Sequence, residues 1–184
     1  MMERIIIAGA GGQGIMVLGK VIAEAAMKEG KYTTWLPSYG AEVRGGTAHC
    51  MVVVSDRPIG SPYVDRADTL IVMNGPSLSR FRPRLKKKGM LIVNSSLIGP
   101  HQEGLRGSKG YPLTEEAVRL GNIRVANMVA LGVYVMCRRL IGETTIYRVV
   151  EAIAPPEKKS LVRVNRQALR RGIQLESGPS VRGQ

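Results

Sequence analysis

The sequence contains few cysteines and few aromatic residues. Only Cys50 and Cys137 occur among 184 residues, and aromatic side chains make up 4% of the chain. Two cysteines so far apart cannot build a disulfide scaffold, and alone they cannot hold an iron–sulfur cluster or a zinc ion. Because 44% of the residues are hydrophobic and 22% are charged, we expect an apolar core. The low number of cysteines fits a reducing, cytoplasmic compartment.

Long apolar segments are also missing. The longest, residues 125–137, falls short of the roughly 20 residues that a membrane-spanning helix needs, and Asn127 interrupts it. The N-terminus lacks the pattern of a secretory signal peptide, because Glu3 cancels the charge of Arg4 and glycines break the apolar region that follows. We therefore expect no membrane span and no export signal.

Acidic residues are scarce relative to basic ones. The chain has 14 acidic and 27 basic side chains and a net charge of +13, of which residues 80–110 carry +7 and residues 155–184 carry +5. Proteins that bind single-stranded nucleic acid interleave basic with aromatic residues, whereas only Phe81 is close to the densest cluster here. A solvated helix surface, an acidic protein partner or a polyphosphate ligand fits better than nucleic acid. The cluster comprises Arg80, Arg82, Arg84, Lys86, Lys87 and Lys88.

The hydrophobic pattern predicts strands that alternate with helices. Strands are expected at residues 4–8, 32–36, 48–55, 69–73, 90–94 and 111–113. Helices are expected at residues 15–29, 77–88, 127–140, 145–154 and 161–171, and a further helix should start at Thr114, whose hydroxyl would cap it.

This order of elements predicts an α/β protein of three layers. A mainly parallel, Rossmann-like sheet should lie between helices in an α/β/α arrangement, with the C-terminal helices packed on it. We expect residues 1–172 to form a single domain. Gly172 should end the last helix, and residues 173–184 should form a loose tail.

A glycine-rich turn joins the first predicted strand to the first helix. Residues 9–14 read Gly-Ala-Gly-Gly-Gln-Gly and satisfy G-x-G-x-x-G. Glycine lets the backbone approach a ligand, and the free N–H groups at the start of a helix favour an anion. The candidate cofactor-binding residues in this turn are Gly9, Gly11, Gly12, Gln13 and Gly14.

The turn lacks the usual companions of a nucleotide site. A dinucleotide site needs a carboxylate about 20 residues further on to hold the ribose. Residues 34–38 contain none, and Glu42 lies beyond them. G-x-x-x-x-G-K-[ST] does not occur, which excludes a P-loop ATPase of that type. A free-standing dinucleotide-binding reductase is therefore an alternative and not the leading interpretation.

A second glycine-rich loop follows the second predicted strand. Residues 38–47 read Ser-Tyr-Gly-Ala-Glu-Val-Arg-Gly-Gly-Thr and should lie at the carboxyl edge of the sheet beside the first turn. The Arg44 guanidinium suits a phosphate or a carboxylate. Gly45, Gly46 and Thr47 add backbone and hydroxyl donors. The alternative is that Arg44 pairs with Glu42 and the glycines only turn the chain.

Residues with catalytic or metal-binding chemistry are otherwise sparse. His49 and His101 have no further ligands at metal-binding spacing, and we expect His49 to be a hydrogen-bonded core residue. Both cysteines should be small core residues. We expect no catalytic residue and no metal ligand in this chain.

Four segments together resemble a known family. They are the turn at residues 9–14, the loop at residues 38–47, Asn-Met-Val-Ala-Leu-Gly at residues 127–132, and Val-Asn-Arg-Gln-Ala-Leu-Arg-Arg-Gly at residues 164–172. In this order they are similar to the gamma subunits of 2-oxoacid:ferredoxin oxidoreductases, over roughly residues 4–172. The form of the loop resembles the 2-oxoglutarate or branched-chain type more than the pyruvate type.

The resemblance implies a subunit of a larger oxidoreductase that is not catalytic alone. The whole enzyme decarboxylates a 2-oxoacid oxidatively, passes electrons to ferredoxin and releases an acyl-coenzyme A. The chain itself would bind no cofactor. Sister alpha and beta subunits would hold thiamine diphosphate, Mg²⁺ and iron–sulfur clusters. The resemblance leaves open whether a ferredoxin-like delta subunit is also present. Coenzyme A is the co-substrate, and the glycine loops would lie near it. The basic stretch at residues 80–88 departs from the family, so a basic nucleic-acid-binding module remains an alternative.

Overall fold

The computed structural model describes residues 1–38, 47–99, 108–153 and 159–177. Within these ranges, no helix combines the length and apolarity needed to cross a membrane. The elements are β1 (Met2–Ala10), α1 (Ile15–Lys28), β2 (Tyr32–Ser38), β3 (Thr47–Ser55), β4 (Ala67–Val72), α2 (Gly75–Phe81), β5 (Leu85–Asn94), β6 (Ser108–Tyr111), α3 (Leu113–Arg119), α4 (Ala126–Arg138), α5 (Glu143–Ala152) and α6 (Lys159–Ser177).

The six described strands form one mixed, mostly parallel sheet in the order β2-β3-β1-β4-β5-β6. β1, β4, β5 and β6 pair in parallel. β3 runs antiparallel to both of its neighbours, β1 and β2. The predicted α/β fold with a mainly parallel sheet is confirmed, and β3 is the reversed strand that the pattern did not reveal.

Helices cover the two faces of the sheet unequally. α1, α3, α4, α5 and α6 contribute to the core on one face, together with Ile5 and Ile7 of β1. On the other face, Ile6 and Ala8 pack beneath Leu78 and Phe81 of α2 and residues of the connecting loops. Because β1 is buried on both faces, its sequence is continuously apolar rather than alternating.

Helices α4 and α6 cross at two glycines. A Cβ atom on Gly172 would lie 2.0 Å from the carbonyl oxygen of Val129, and one on Gly132 would lie 2.2 Å from that of Leu169. Both distances are far inside van der Waals contact, so only glycine lets the two backbones approach this closely. The crossing fixes α6 against the body of the protein.

The predicted end of the last helix is wrong. Gly172 lies inside α6, which continues to Ser177, so residues 173–177 are helical and not a loose tail. The glycine meets the need for close contact with α4 rather than for a helix stop, and Ile173 and Leu175 pack against the core. Residues 178–184 lie outside the described residues.

The predicted basic helix at residues 77–88 is wrong in its second half. α2 ends at Phe81, a 3₁₀ turn follows at Arg82–Arg84, and the three lysines at 86–88 belong to β5. Pro83 supplies no N–H to continue a helix. The pairing of β5 with β4 then jumps from Leu85 to Met90, which leaves residues 86–89 opposite Asp68 alone.

The crossing of α4 and α6 predicts a clear stability effect. We expect Gly172→Ala to lower the free energy of unfolding by about 1–3 kcal/mol, because the added methyl group forces the helices apart. Urea unfolding of the full chain measures this. Gly75→Ala is the matched control, because Gly75 is also helical and a Cβ there would meet nothing within 4 Å. Equal stability of the two variants would contradict the packing account.

Candidate functional site

The glycine-rich turn follows β1 at the carboxyl edge of the parallel strands. The side chain of Gln13 folds back under the turn, where its Oε1 accepts a hydrogen bond from the Ala10 backbone N–H at 2.7 Å. Its Nε2 donates to the Met73 carbonyl oxygen, at the end of β4, at 3.4 Å. Gln13 is therefore a brace inside the turn, and it joins the ends of two adjacent strands.

Two of the predicted glycines are needed for packing. A Cβ atom on Gly9 would lie 2.6 Å from Oε1 of Gln13. Gly14 has φ +71°, and a Cβ atom there would lie 2.3 Å from Nδ2 of Asn127. That same Nδ2 donates a hydrogen bond to the Gly14 carbonyl oxygen at 3.2 Å. The protein's own side chains thus fill the space at both positions.

The other two glycines form an open rim on the turn. Gly11 and Gly12 are exposed, and a Cβ atom on either would meet nothing within 4 Å. Gly12 needs glycine for its backbone, because its φ is +88°. The open rim at Gly11 and Gly12, together with the start of α1, is the part of this turn that a ligand can approach.

The second predicted loop is only partly described. Arg44, Gly45 and Gly46 lie outside the described residues. Thr47 opens β3 directly opposite Ala10, and Ser38 ends β2 opposite His49. The two ends of the loop therefore lie at the same edge of the sheet as the glycine turn, as the sequence predicted.

The reversed strand β3 changes what this edge can bind. In the usual dinucleotide-binding fold the strand order is 3-2-1-4-5-6, and the second strand presents its carboxyl end and ribose-binding acid beside the first. Here β3 lies beside β1, and its first residues, Thr47 and Ala48, occupy that position. The described part of this edge carries no carboxylate there, which argues against a dinucleotide site.

Asn94 is a residue of this edge that sequence reasoning missed. It is fully buried at the end of β5. Its Nδ2 donates to the Met73 carbonyl at 3.2 Å, and its Oδ1 accepts from the Thr114 backbone N–H at 3.3 Å. The prediction that the Thr114 hydroxyl caps α3 is therefore wrong. Instead, the Asn94 side chain accepts the hydrogen bond from the Thr114 backbone N–H. The only signal in the sequence is a polar residue that ends an apolar strand.

His49 is buried on the thinly covered face of the sheet. Its ring packs on Phe81 with centroids 4.7 Å apart, and Nδ1 has no hydrogen-bond partner in the described part of the chain. Burial lowers the pKa of His49, and the positive charges of Arg80 and Arg84 lower it further. The predicted burial is confirmed, and the predicted hydrogen bond is wrong for Nδ1.

Part of the basic cluster is used inside the protein. Arg84 donates to the Val64 and Asp65 carbonyl oxygens and lies over the Tyr63 ring. Lys86 pairs with Asp68. A solvated helix surface is therefore the wrong description of residues 80–88, because Arg84 binds the loop before β4 and Lys86 of β5 pairs with Asp68 of β4.

Cys50 contributes packing rather than reactive chemistry, whereas Cys137 is only half-buried. Cys50 is fully buried, its Sγ donates to the Ile15 carbonyl oxygen at 3.5 Å, and a Cβ on Gly19 would lie 2.4 Å from that sulfur. Burial raises the pKa of the Cys50 thiol to about 12. Among the residues with described positions, no group of three or more His, Cys, Asp or Glu side chains is placed to hold a metal ion.

The brace under the turn predicts a stability effect of a subtle substitution. Gln13→Glu keeps the acceptor for Ala10 but replaces the donor to the Met73 carbonyl with a second oxygen. We expect the free energy of unfolding at pH 7 to fall by about 1–3 kcal/mol, since a carboxylate oxygen then faces the Met73 carbonyl oxygen, which keeps only its hydrogen bond from Asn94. Gln174→Glu, on the exposed side of α6, is the control. No difference between the variants in denaturant unfolding would show that Gln13 is not a brace.

Comparison with known proteins gives a consistent family. A model described as pyruvate ferredoxin/flavodoxin oxidoreductase matches residues 4–175. Ketoisovalerate oxidoreductase subunit VorA of Methanothermobacter thermautotrophicus is 42% identical over 130 residues, which cover 71% of this chain and 27% of that protein. The chain thus spans about a quarter of the length of this relative. 2-Oxoglutarate synthase subunit KorC of the same organism is 32% identical over 170 residues, which cover 87% of this chain and 90% of that protein.

A solved structure shares the fold over nearly the full length. The gamma subunit of keto/oxoacid ferredoxin oxidoreductase from Geobacter sulfurreducens superimposes with a TM-score of 0.82, at 28% identity and with 95% of each chain covered. Together with the match over residues 4–175, this means that the chain belongs to the pyruvate ferredoxin/flavodoxin oxidoreductase family.

Proposed function

We propose that this chain is the gamma subunit of a multisubunit 2-oxoacid:ferredoxin oxidoreductase. The family match over residues 4–175 carries the proposal. The similarity to a gamma subunit over 95% of both chains supports it. The chain would work with alpha and beta subunits, and with a delta subunit where one exists, in the oxidative decarboxylation of a 2-oxoacid to an acyl-coenzyme A, with electrons passed to ferredoxin.

The 2-oxoacid that we propose is 2-oxoglutarate. The KorC relative supports it, because 2-oxoglutarate synthase is in its name and the similarity runs through 90% of its length. Ketoisovalerate is the second candidate, because the VorA relative is more similar, at 42% identity, although over a smaller share of its length.

The chemistry of the reaction would belong to sister subunits. Thiamine diphosphate with Mg²⁺ supplies the chemistry of decarboxylation, and iron–sulfur clusters carry the electrons. The described residues of this chain offer no set of ligands for either metal group. The role left to this chain is to complete the assembly and to present its carboxyl edge to the co-substrate.

We further propose that the open rim of the glycine turn contacts a phosphate group of coenzyme A. Gly11 and Gly12 are exposed and face open space, and the N–H groups at the start of α1 favour an anion. Arg44, Gly45, Gly46 and Thr47 would add a guanidinium and further donors. Gly9, Gln13 and Gly14 would hold the turn in shape without touching the ligand.

The subunit role is tested by co-expression with the adjacent genes and purification by a tag on this chain. We expect thiamine- and cluster-binding subunits to co-purify, and the complex to reduce ferredoxin when given 2-oxoglutarate and coenzyme A. Replacing 2-oxoglutarate with 2-oxoisovalerate distinguishes the two substrate candidates. Recovery of this chain alone, or a complex inactive with every 2-oxoacid, would contradict the proposal.

The contact with coenzyme A is tested in the assembled enzyme. Gly11→Leu adds a side chain in open space on the rim, so we expect unchanged assembly and a KM for coenzyme A raised by about tenfold or more, the loss of about 1.4 kcal/mol. Arg44→Ala should act in the same direction. Gly60→Leu is the matched control, since Gly60 is equally exposed and open. If Gly11→Leu changes the KM no more than the control does, the turn is purely structural.

A further inference from the structure

A groove lined by arginines lies between α5 and α6. It has a volume of about 400 Å³. Its walls come from Tyr147 of α5 and from Val162, Arg163, Arg166, Gln167 and Arg170 of α6. These arginines belong to the second of the two strongly basic segments of the sequence, and the proposed function gives them no role.

The charges in this groove are mostly uncompensated. Arg166 pairs with Glu151, and its guanidinium lies over the Tyr147 ring, 5.2 Å from the centroid. Arg163 and Arg170 are exposed and make no hydrogen bond or ion pair with any residue in the described ranges. Among the described residues, Glu151 is thus the one carboxylate that pairs with any of these three guanidinium groups. Burial raises the pKa of Tyr147, and the charge of Glu143, the other acidic group nearby, raises it further.

The arrangement is unfavourable for α6 by itself. Arg163 and Arg166 are three residues apart, and Arg166 and Arg170 are four apart, so like charges face each other along one side of the helix. The next residue shows the contrast: Arg171 points inward, where its Nε donates to the buried carboxylate of Glu116 at 2.6 Å. That pairing lowers the pKa of Glu116.

The orientation of α6, and with it the side of the helix that carries Arg163, Arg166 and Arg170, is fixed by packing. The contact of Gly172 with α4 and the ion pair of Arg171 with Glu116 prevent α6 from rotating. Arg163, Arg166 and Arg170 therefore stay on the groove side. A helix that is already held in one orientation loses less conformational entropy when it binds a partner than a mobile one does.

We propose that the α5–α6 groove docks an acidic helix of a partner protein, whose carboxylates repeat at positions i, i+3 and i+7. Steps of three and four residues are about 4.5 Å and 6 Å along a helix, so carboxylates with the same spacing on a second helix match the three arginines. Each guanidinium can hold a carboxylate through two hydrogen bonds. Arg166 already covers one face of Tyr147, which disfavours a stacked nucleobase. The docking surface does not depend on the proposed subunit role.

The test uses the full chain and a designed probe. The probe is a fluorescein-labelled, alanine-based helical peptide with Glu at i, i+3 and i+7, and a second peptide has the same composition with the Glu residues spread around the helix. We expect the striped peptide to bind more tightly, with a Kd that rises with salt. Arg163→Glu with Arg170→Glu should weaken that binding at least tenfold and should allow binding of a peptide with Lys in place of Glu.

Lys87→Glu with Lys88→Glu is the matched control, because it makes the same change in net charge at exposed residues of β5. Circular dichroism confirms that each variant is folded, and Arg163→Gln with Arg170→Gln replaces the reversed pair if that variant is unstable. Equal binding of both peptides, or equal loss in the control variant, would mean attraction by net charge alone and overturn the proposal. Groove-dependent binding of inorganic tripolyphosphate but not of the striped peptide would overturn it in favour of a small polyanion.

Discussion

The hydrogen bond from Asn127 to the Gly14 carbonyl links the first turn of the chain to the first turn of α4, 113 residues away. The left-handed backbone of Gly14 turns its carbonyl toward Asn127, and the absence of a side chain gives the amide its space. This contact sets α1 against α4, and α4 in turn carries α6 through the crossing at Gly132 and Gly172. The two sequence segments that looked like separate motifs are thus one packing unit.

This unit explains why a G-x-G-x-x-G pattern is weak evidence for a nucleotide. Of the four glycines, Gly9 and Gly14 are fixed by contacts with Gln13 and Asn127, and Gly12 by its backbone angle. Gly11 alone has neither constraint. Because Gln13 braces the turn from beneath, the turn can retain this shape with no ligand bound. Only Gly11 and Gly12 of this turn remain open to a ligand. The reversed strand β3 is a further argument against a dinucleotide. In the usual fold, a parallel strand beside β1 ends in the carboxylate that holds the ribose, and here β3 takes its place.

Much of the fold was readable from the sequence, because it depends on local pattern. The run of β-branched residues in β1 predicts a strand buried on both faces, and Gly30 with φ +76° ends the first helix region as expected. Apart from the basic helix, which Pro83 interrupts locally, the wrong predictions depend on contacts between distant residues. From the sequence, Gly172 looks like the end of a helix, and only its contact with α4 explains why glycine is needed there. Asn94 likewise looks like an ordinary strand end, and only its hydrogen bonds to Met73 and Thr114 show its role. The reversal of β3 leaves no trace in the sequence, because a strand buried on both faces is equally apolar in either direction.

The basic residues fall into two groups, those that pair within the chain and those that are exposed without a partner in the described ranges. Arg84, Lys86 and Arg171 each have a partner within the chain and hold loops or helices in place. Arg163 and Arg170 lie on a helix that the core already anchors, so their charges are not needed to hold it. A net charge of +13 therefore overstates a general attraction to polyanions, because part of it is neutralised in place. The remaining charge is organised along one rigid helix, and such an array discriminates between partners by the spacing of their carboxylates rather than by total charge.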